Sequence, residues 1–417
     1  MSRLTDVTMR ATRARKLDAS GATPSAPLES APHEVVREIQ FMPEQQHILF
    51  VVNSFPPRVG GIERHIADLA HELVRQGHRA TVVTLADEPG VSVENGITVH
   101  RLPRHFPIAS VMSFPSFGTA RRLRRRFAGA GVTAISTHTR FFPMSWVGLA
   151  VGKRLRIPVV HTEHGSDFVR GVSPLIGWAS RVVDVTFGRR TMRGATSVLG
   201  VSEQVVAFVR RLSGVTGQVF YNAISLEGWP AQVEQSSPRR RFVFVGRLVP
   251  GKGWDRLLDA AAILASDSSV GPFTVEILGD GPDMAAATLQ IERQGLTSIA
   301  HTHGYVSGET VRSYLHDSVL VNPTTLAEGF QTTLLEALAG TCQIVTYLVP
   351  GAAKLASEGA PVLLVNDQTP TGLAAAMRTA LDFPQPAYPL ERLEQWSWPQ
   401  RVGQYVSLVE EARSRLA

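Results

Sequence analysis

The stretch Glu328-Gly329-Phe330-Gln331-Thr332-Thr333-Leu334-Leu335-Glu336 predicts a loop that runs into the start of a helix. An apolar run at 319–322 precedes it and predicts a buried strand, and Ala337-Leu338-Ala339 continues the helix. The same order of strand, loop and helix recurs along the chain. Such alternation is typical of α/β folds that are built on parallel sheets.

The chemistry of this stretch favours a ligand that carries phosphates and hydroxyls. A helix start offers unpaired backbone N–H groups and the positive end of the helix dipole. Glu328 is expected in the loop and Glu336 on the first helical turn, so that both carboxylates can accept hydrogen bonds from sugar hydroxyls. A sugar nucleotide has both features. The alternative is a capping box, in which Thr333 and Glu336 only satisfy the helix end.

Length and composition indicate a two-domain globular protein with a tail. The chain has 417 residues, 44% of them hydrophobic, and a formal net charge of +6, which favours anionic partners. The most apolar segment, 141–152, is too short to span a membrane, and residues 1–46 are expected to form a disordered tail without a secretory signal. The single cysteine, Cys342, excludes an internal disulfide and is consistent with a cytoplasmic location.

The first half begins with a βαβ unit. A strand is predicted at 47–53, paired glycines at Gly60-Gly61, a helix over 62–73 and a second strand at 79–85. Two further predicted strands end on polar residues. Because ligands of open parallel sheets bind at the carboxyl ends of the strands, the candidates there are His138, Arg140, Glu163 and His164. A zinc site that uses His161 and His164 is a weaker alternative, since no pattern supplies a third ligand.

A basic run lies between these strands, at Arg121, Arg122, Arg124, Arg125 and Arg126. On a helix, Leu123 and Phe127 would share one face and the arginines would cover the rest. Two alternatives stay open at this point. The segment is either an amphipathic helix on an anionic membrane surface or a solvated basic helix that packs through Leu123 and Phe127.

The second half repeats the plan of the first after a predicted linker at 229–238. A strand at 241–246 is followed by a glycine-containing loop over 247–253 and by a helical stripe from Trp254. Arg247 and Lys252 stand beside the glycines of that loop. Two cations next to a glycine turn can neutralise a diphosphate, so we expect a phosphate site there. The repeated order predicts two similar doubly wound domains that face each other.

Taken together, these motifs resemble the GT-B glycosyltransferases of family 4. The resemblance rests on Gly60-Gly61-x-Glu63, His138 after a strand, Val245-Gly246-Arg247-Leu248 with Lys252-Gly253, Gly279-Asp280-Gly281-Pro282, and Glu328 with Glu336. It implies two Rossmann-like domains across a cleft, at 47–228 and 239–395, and a last helix, 396–417, that crosses back to the first domain. It also implies a retaining transferase that uses a nucleotide-diphosphate sugar without a bound metal or other cofactor.

The resemblance assigns roles to individual positions. Arg247 and Lys252 would hold the diphosphate, Glu336 the ribose, and Glu328 with the backbone of Gly329, Phe330, Gln331 and Thr332 the sugar and the distal phosphate. His138 would lie beside the transferring sugar, and Gly60-Gly61 would close over the phosphates. Gly246, Gly279 and Tyr305 are further donor-binding candidates. The expected acceptor is a lipid-linked or cell-surface glycan. A location on the cytoplasmic side of a membrane rests only on the arginine run, Arg121–Arg126, as an anionic-membrane contact.

Two positions depart from the family pattern. Gln331 stands where Pro or Gly is frequent, and Val349-Pro350-Gly351-Ala352-Ala353-Lys354 replaces the common Gly-Gly-x-x-Glu. These departures leave the donor sugar open. Two other functions also stay open, a sugar-nucleotide epimerase or hydrolase of the same fold and a binding protein without catalysis. A nucleic-acid binder is disfavoured because the basic residues lack interleaved aromatic side chains.

Overall fold

The structure is a computed structural model, which describes residues 44–108, 112–168, 174–229 and 239–416. Residues 45–417 form one compact unit. Of the predicted tail at 1–46, residues 1–43 lie outside the described residues, as do 230–238 of the predicted linker. The domain boundaries drawn from the sequence therefore stay predictions.

The first half of the chain alternates strands and helices as the sequence predicts. Its elements are β1 (His47–Val51), α1 (Gly61–Arg75), β2 (Arg79–Ala86), β3 (Gly90–Glu94), β4 (Ile97–Ile108), β5 (Met112–Pro115), α2 (Thr119–Phe127), β6 (Ala134–His138), α3 (Pro143–Leu155), β7 (Val159–Glu163), α4 (Pro174–Val183), a π-helical turn (Asp184–Gly188), α5 (Arg189–Gly194), β8 (Ser197–Gly200), α6 (Glu203–Ser213) and β9 (Gln218–Val219).

The second half follows the same plan. Its elements are β10 (Arg241–Val245), α7 (Trp254–Ala265), β11 (Thr274–Leu278), α8 (Met284–Arg293), β12 (Ala300–Thr302), α9 (Gly308–Leu315), β13 (Val319–Asn322), α10 (Thr332–Ala339), β14 (Gln343–Tyr347), α11 (Ala352–Ser357), β15 (Val362–Val365), α12 (Pro370–Asp382), α13 (Leu390–Glu394) and α14 (Trp398–Ser414).

Each half has its own sheet. In the described residues the first sheet runs β3-β4-β2-β1-β6-β7-β8-β9, with β5 paired to β4, and the second runs β12-β11-β10-β13-β14-β15. The second order is that of the doubly wound dinucleotide-binding fold, in which the strand order reverses between the first and fourth strands. Ligands bind at such a reversal, which here lies between β10 and β13 and, in the first sheet, between β1 and β6.

The last helix belongs to the core of the first half. Trp398, Val402 and Tyr405 of α14 are buried in one cluster with Ile66 and Leu69 of α1. A backbone bridge between Ile224 and Ser397 leads the chain back to this position. The α/β fold with a C-terminal helix that crosses to the first half is therefore confirmed.

Two features of the first half differ from the sequence analysis. The hairpin that β3 and β4 form was not predicted, although its turn residues Asn95 and Gly96 both have positive φ angles, of 49° and 79°, as an Asn-Gly hairpin turn requires. The arginine run forms α2, whose Leu123 and Phe127 are buried in the core while its arginines are exposed. Because Leu123 and Phe127 pack in the core, the apolar face of α2 is not free to enter a membrane, as the first alternative requires.

Candidate active site

The loop that follows β13 brings together the charges that the sequence predicts for the donor site. Glu328 Oε1 accepts a hydrogen bond from Lys252 Nζ at 2.6 Å, and both side chains are partly buried. Lys252 comes from the loop after β10, so the pair joins the two strands at which the second sheet reverses its order. A cation and a carboxylate thus lie at the position where a doubly wound fold binds its ligand.

Helix α10 begins beside this pair. Its N-cap residue is Gln331, whose side chain accepts no hydrogen bond from the first turn. Thr333 lies inside the helix, so the capping box between Thr333 and Glu336 is not formed. The expected position of Glu336 on the first helical turn is wrong, because α10 begins at Thr332 and Glu336 lies in its second turn. The amide oxygen of Gln331 accepts from Asn322 Nδ2 at 2.6 Å, while its buried Nε2 has no partner among the described residues. The helix start therefore remains open to an external acceptor such as a phosphate.

The intervening residues shape this loop through close packing. A Cβ atom at Gly329 would lie 2.3 Å from the carbonyl oxygen of His164, so only glycine lets the loop approach the first half so closely. The Phe330 ring is buried and stacks on Trp396 with a centroid distance of 5.3 Å. Phe330 therefore offers only its backbone to a ligand, as the resemblance implies, and its carbonyl oxygen already accepts from Asn222 Nδ2.

The other donor-side candidates line the ends of β10, β11 and β12. Gly279 has a φ of 139° after β11, and a Cβ atom there would lie 1.9 Å from the carbonyl oxygen of Gly246. Tyr305 follows β12 with 71% of its surface exposed. Arg247 is exposed, and within the described residues no side-chain hydrogen bond or ion pair is found for it. The structure thus pairs Lys252 with Glu328 and leaves Arg247 available for an anion.

Glu336 pairs with a residue that the sequence analysis did not select. Its Oε1 lies 3.2 Å from Arg64 Nη1, which belongs to α1 of the first half. A small cavity between the two helices is lined by Gly61, Arg64, His65, Thr332 and Glu336, among others. Burial raises the pKa of Glu336, and the Arg64 guanidinium opposes that shift. Gly60 is the N-cap of α1, and Gly61, its first residue, lies on the wall of this cavity.

A histidine cluster closes the site on the side of the first half. His138 ends β6, and its Nδ1 lies 3.0 Å from Nε2 of His164, while its Nε2 lies 3.1 Å from Ser136 Oγ. His65 packs edge-on against both rings, with centroid distances of 5.6 and 4.9 Å. Burial lowers the pKa of His138 and His65 well below the usual range and that of His164 to about 4. The cluster is therefore neutral at physiological pH.

Donor atoms of His65, His138 and His164 all lie within 4.8 Å of one another, close enough to hold one metal ion. Neutral imidazoles are metal ligands, so the donor set fits such an ion chemically. The predicted pair of His161 and His164 is different, because His161 Nδ1 bonds Thr137 Oγ1 at 3.0 Å. The metal-free expectation for this chain stays a prediction.

Arg140 and Glu163 are brought together as part of a buried charge network. The Arg140 guanidinium bonds Glu163 Oε1 and both Asp184 oxygens, each at 2.8 Å, and all three side chains are almost fully buried. Burial raises the pKa of Glu163, but Arg140 overrides this effect and holds it well below its usual value. Glu163 also accepts from the backbone N–H groups of His164 and Gly165, and so fixes the loop that carries His164. These two candidates support the site without facing it.

Sequence reasoning missed Arg64 and His65. Both follow Gly60-Gly61 by one helical turn, so the helix start that was expected to close over phosphates also directs these side chains to the cleft. Their partners Glu336, His138 and His164 lie far away in sequence. The local pattern could have nominated the first turn of α1, but not the pairing.

The comparisons with known proteins agree with this geometry. The model of Glycosyltransferase Family 4 matches residues 59–227, and the model of Glycosyl transferases group 1 matches residues 239–382. The chain is 25% identical over 334 residues to the phosphatidylinositol N-acetylglucosaminyltransferase GPI3 subunit of Saccharomyces cerevisiae, covering 78% of this chain and 71% of that protein. It is 25% identical over 356 residues to a GDP-mannose-dependent alpha-mannosyltransferase of Mycobacterium tuberculosis, covering 81% and 83%.

Solved structures show the same fold. A sucrose-phosphate synthase from Thermosynechococcus elongatus superposes with a TM-score of 0.67 at 19% identity, over 88% of this chain and 98% of that chain. Anabaena HepE in complex with UDP superposes with a TM-score of 0.62 at 18% identity, over 89% and 98%. Fold, site and family models together define a nucleotide-sugar glycosyltransferase. The chain belongs to glycosyltransferase family 4 and has the GT-B architecture that its motifs predict.

Proposed function

We propose that this glycosyltransferase moves a sugar from a nucleotide-diphosphate donor to an acceptor hydroxyl with retention of anomeric configuration and without a bound metal. The observation that carries the proposal is the Lys252–Glu328 pair, with a separation of 2.6 Å, beside the open start of α10. Lys252 and Arg247 are the cations for the diphosphate, and Glu328 is the acceptor for sugar hydroxyls. A metal ion is not needed in this proposal, because Lys252 and Arg247 supply the positive charge that neutralises the phosphates.

The charge distribution suits the bond that must break. When the anomeric carbon separates from the diphosphate oxygen, negative charge builds on the phosphate and positive charge on the sugar ring. Fixed cations and helix-start N–H groups stabilise the leaving group, and the Glu328 carboxylate lies on the sugar side. The acceptor oxygen then bonds the anomeric carbon, and its proton passes to the departing phosphate, so that no protein base is required.

The first half supplies neutral groups to the opposite wall. His138 has both ring nitrogens within hydrogen-bond distance of Ser136 and His164, so we assign it the role of orienting His164 toward the transferring sugar. Glu336 is assigned to the ribose hydroxyls. Because Arg64 now lies 3.2 Å from Glu336, donor binding replaces that ion pair with the ribose contact.

The names of the relatives support a proposal for the donor and acceptor classes. The named relatives include a phosphatidylinositol N-acetylglucosaminyltransferase subunit and a GDP-mannose-dependent mannosyltransferase. We therefore propose a UDP-, GDP- or ADP-linked donor and a lipid-linked or cell-surface glycan acceptor at the inner face of a membrane. The exposed arginines of α2, within Arg121–Arg126, are proposed to contact anionic lipid through charge alone. No helix in the described part of the chain is long and apolar enough to span a bilayer.

A thermal-shift screen against UDP-, GDP- and ADP-sugars identifies the donor, because a ligand that binds only the folded state raises the melting temperature. With that donor, Lys252→Ala and Glu328→Ala are expected to lower turnover by about a hundredfold or more, since each removes a group that acts on the transition state. Lys153→Ala, at an exposed lysine of α3, is the matched control and retains activity.

Three outcomes separate the alternatives. Turnover like that of the wild type in both variants contradicts the proposal. Product formation that does not require an acceptor indicates a hydrolase or epimerase instead. Donor binding without turnover, over a broad set of acceptors, indicates a binding protein.

A further inference from the structure

Helix α4 turns apolar side chains outward, which is unusual for a helix on the surface of a globular protein. Leu175 is 75% exposed, Trp178 66% and Val182 39%, and their spacing of three and four residues places them on one side of the helix. Val185, which is 43% exposed, continues the apolar surface into the π-helical turn. A contiguous exposed apolar stripe marks an interaction surface.

The charges around this stripe are basic. Arg181, Arg189 and Arg190 are exposed, whereas Asp184, the acidic residue among them, is buried against Arg140. Over residues 174–194 the exposed charged side chains are therefore all arginines. An apolar stripe with a tryptophan and flanking arginines is the pattern of a helix that lies in the interface of an anionic bilayer.

Further exposed arginines lie on α2. Both α2 and α5 contact α3, so the three helices cover the same face of the first sheet. The α2 arginines are exposed there, although Leu123 and Phe127 are not. Attraction to anionic headgroups can therefore come from two helices, while insertion is left to α4.

We infer that Leu175, Trp178, Val182 and Val185, with Arg181, Arg189 and Arg190, form a membrane-docking face that lies on an anionic lipid surface. We call these seven residues the docking face. Its docking does not depend on transferase chemistry, and only its use in reaching a lipid-linked acceptor rests on the proposed function. A protein partner is the competing occupant, and the absence of an exposed acidic side chain in 174–194 favours lipid.

The docking face is rigidly connected to the candidate active site. Asp184 lies in the π-helical turn and bonds Arg140, which bonds Glu163, and Glu163 accepts from the backbone N–H of His164. The bonds of Arg140 to Asp184 and Glu163 are buried, the bond from the His164 N–H is partly buried, and all three are 3.1 Å or shorter. A bilayer that holds α4 would therefore also hold the His164 wall of the cleft next to the membrane surface, where a lipid-linked acceptor presents its hydroxyl.

The test is co-sedimentation of the full chain with phosphatidylcholine vesicles, with and without phosphatidylglycerol, in the absence of any donor. We expect binding to the anionic vesicles, weakened by salt, and a loss of about tenfold or more in the partition coefficient of the Leu175→Ser/Trp178→Ser double variant. Arg181→Gln should lower it by about fivefold. Phe383→Ser and Arg293→Gln alter an exposed apolar and an exposed basic residue of the second half and serve as matched controls with unchanged binding.

Tryptophan fluorescence gives an independent readout. Trp178 is exposed, whereas the other five tryptophans are buried or half-buried, so insertion should shift the emission of the wild type to shorter wavelength and leave Trp178→Phe unshifted. Circular dichroism confirms that each variant is folded. The inference is overturned if the wild type binds no vesicle, if the double variant binds as tightly as the wild type, or if the same substitutions abolish self-association in solution and leave vesicle binding intact.

Discussion

The reversal points of the two sheets face the same cleft but carry different chemistry. At β10 and β13 the loops present Lys252 and Glu328, an ion pair that is partly open to solvent and next to a helix start. At β1 and β6 the cleft is walled by His65, His138 and His164, which bond or pack against one another and are neutral. The wall with Lys252 and Glu328 suits a charged leaving group, and the histidine wall suits uncharged hydroxyls.

The difference also extends to what lies behind each wall. The His164 loop is anchored by the buried Arg140 network, which includes two carboxylates and reaches the docking face. The Glu328 loop is anchored by apolar packing of Phe330 and by a close contact at Gly329. The second half therefore leaves its charged pair accessible to a ligand. The first half buries its charged network, which supports the His164 loop.

The largest expected effect tests the buried charge network of Arg140. Arg140→Met leaves Glu163 and Asp184 buried without their cation, so we expect the free energy of unfolding to fall by about 3–5 kcal/mol. Urea unfolding followed by circular dichroism measures the change.

The matched control is Arg378→Met. Arg378 also pairs with two carboxylates, Asp267 and Asp382, but all three side chains are about half exposed to solvent. We expect that substitution to cost less than about 1 kcal/mol. Equal losses in the two variants would show that burial does not distinguish the Arg140 network from a surface pair.

The contrast between the walls also explains which parts of the site the sequence could predict. Lys252, Glu328 and their glycines follow strands directly, so the local order of strand, loop and helix was sufficient to place them. The pairs Arg64–Glu336 and His138–His164 join positions far apart in sequence, and a local pattern does not contain that information. Even so, the predicted fold class and the helix that returns to the first half are confirmed.

Errors in the sequence analysis have local causes. The hairpin of β3 and β4 was missed although Asn95-Gly96 is a strong hairpin signal, because the segment has no long apolar run. For α2 the sequence leaves two alternatives open, because amphipathicity alone does not say whether the apolar face meets lipid or core. The apolar residues of α4 would be taken for core by the same reasoning, and only their exposure reveals the docking face.

A smaller effect, on the pH dependence of stability, tests whether the histidine wall is neutral. The pKa of His164 is about 4 because of burial, whereas an unfolded histidine titrates near its usual value of 6.5. As pH falls from 6.5 toward 4, the unfolded chain takes up a proton that the folded chain does not, so stability is lost in this window. The loss is at most about 3 kcal/mol for this group, and less because the ring is partly exposed.

Urea unfolding at several pH values measures this loss. His164→Gln should make the decline below pH 6.5 less steep, because the glutamine amide has no proton to take up, while His65 and His138 still contribute their shares. His301→Gln changes an exposed histidine of β12 and should leave the decline unchanged. A slope in His164→Gln like that of the wild type would assign the pH dependence to other groups.

The smallest expected effect concerns metal. His65, His138 and His164 could surround one ion, yet Nδ1 of His138 and Nε2 of His164 already lie 3.0 Å apart, a distance that a hydrogen bond explains. We therefore expect turnover to be unchanged in EDTA and elemental analysis to find no stoichiometric zinc. Stoichiometric metal that is lost in His65→Gln, together with EDTA-sensitive turnover, would instead make the histidine wall a metal centre. The neutral imidazoles of the histidine wall would then bind a cation and not sugar hydroxyls. The two walls would differ in that one holds a metal ion and the other the Lys252–Glu328 ion pair.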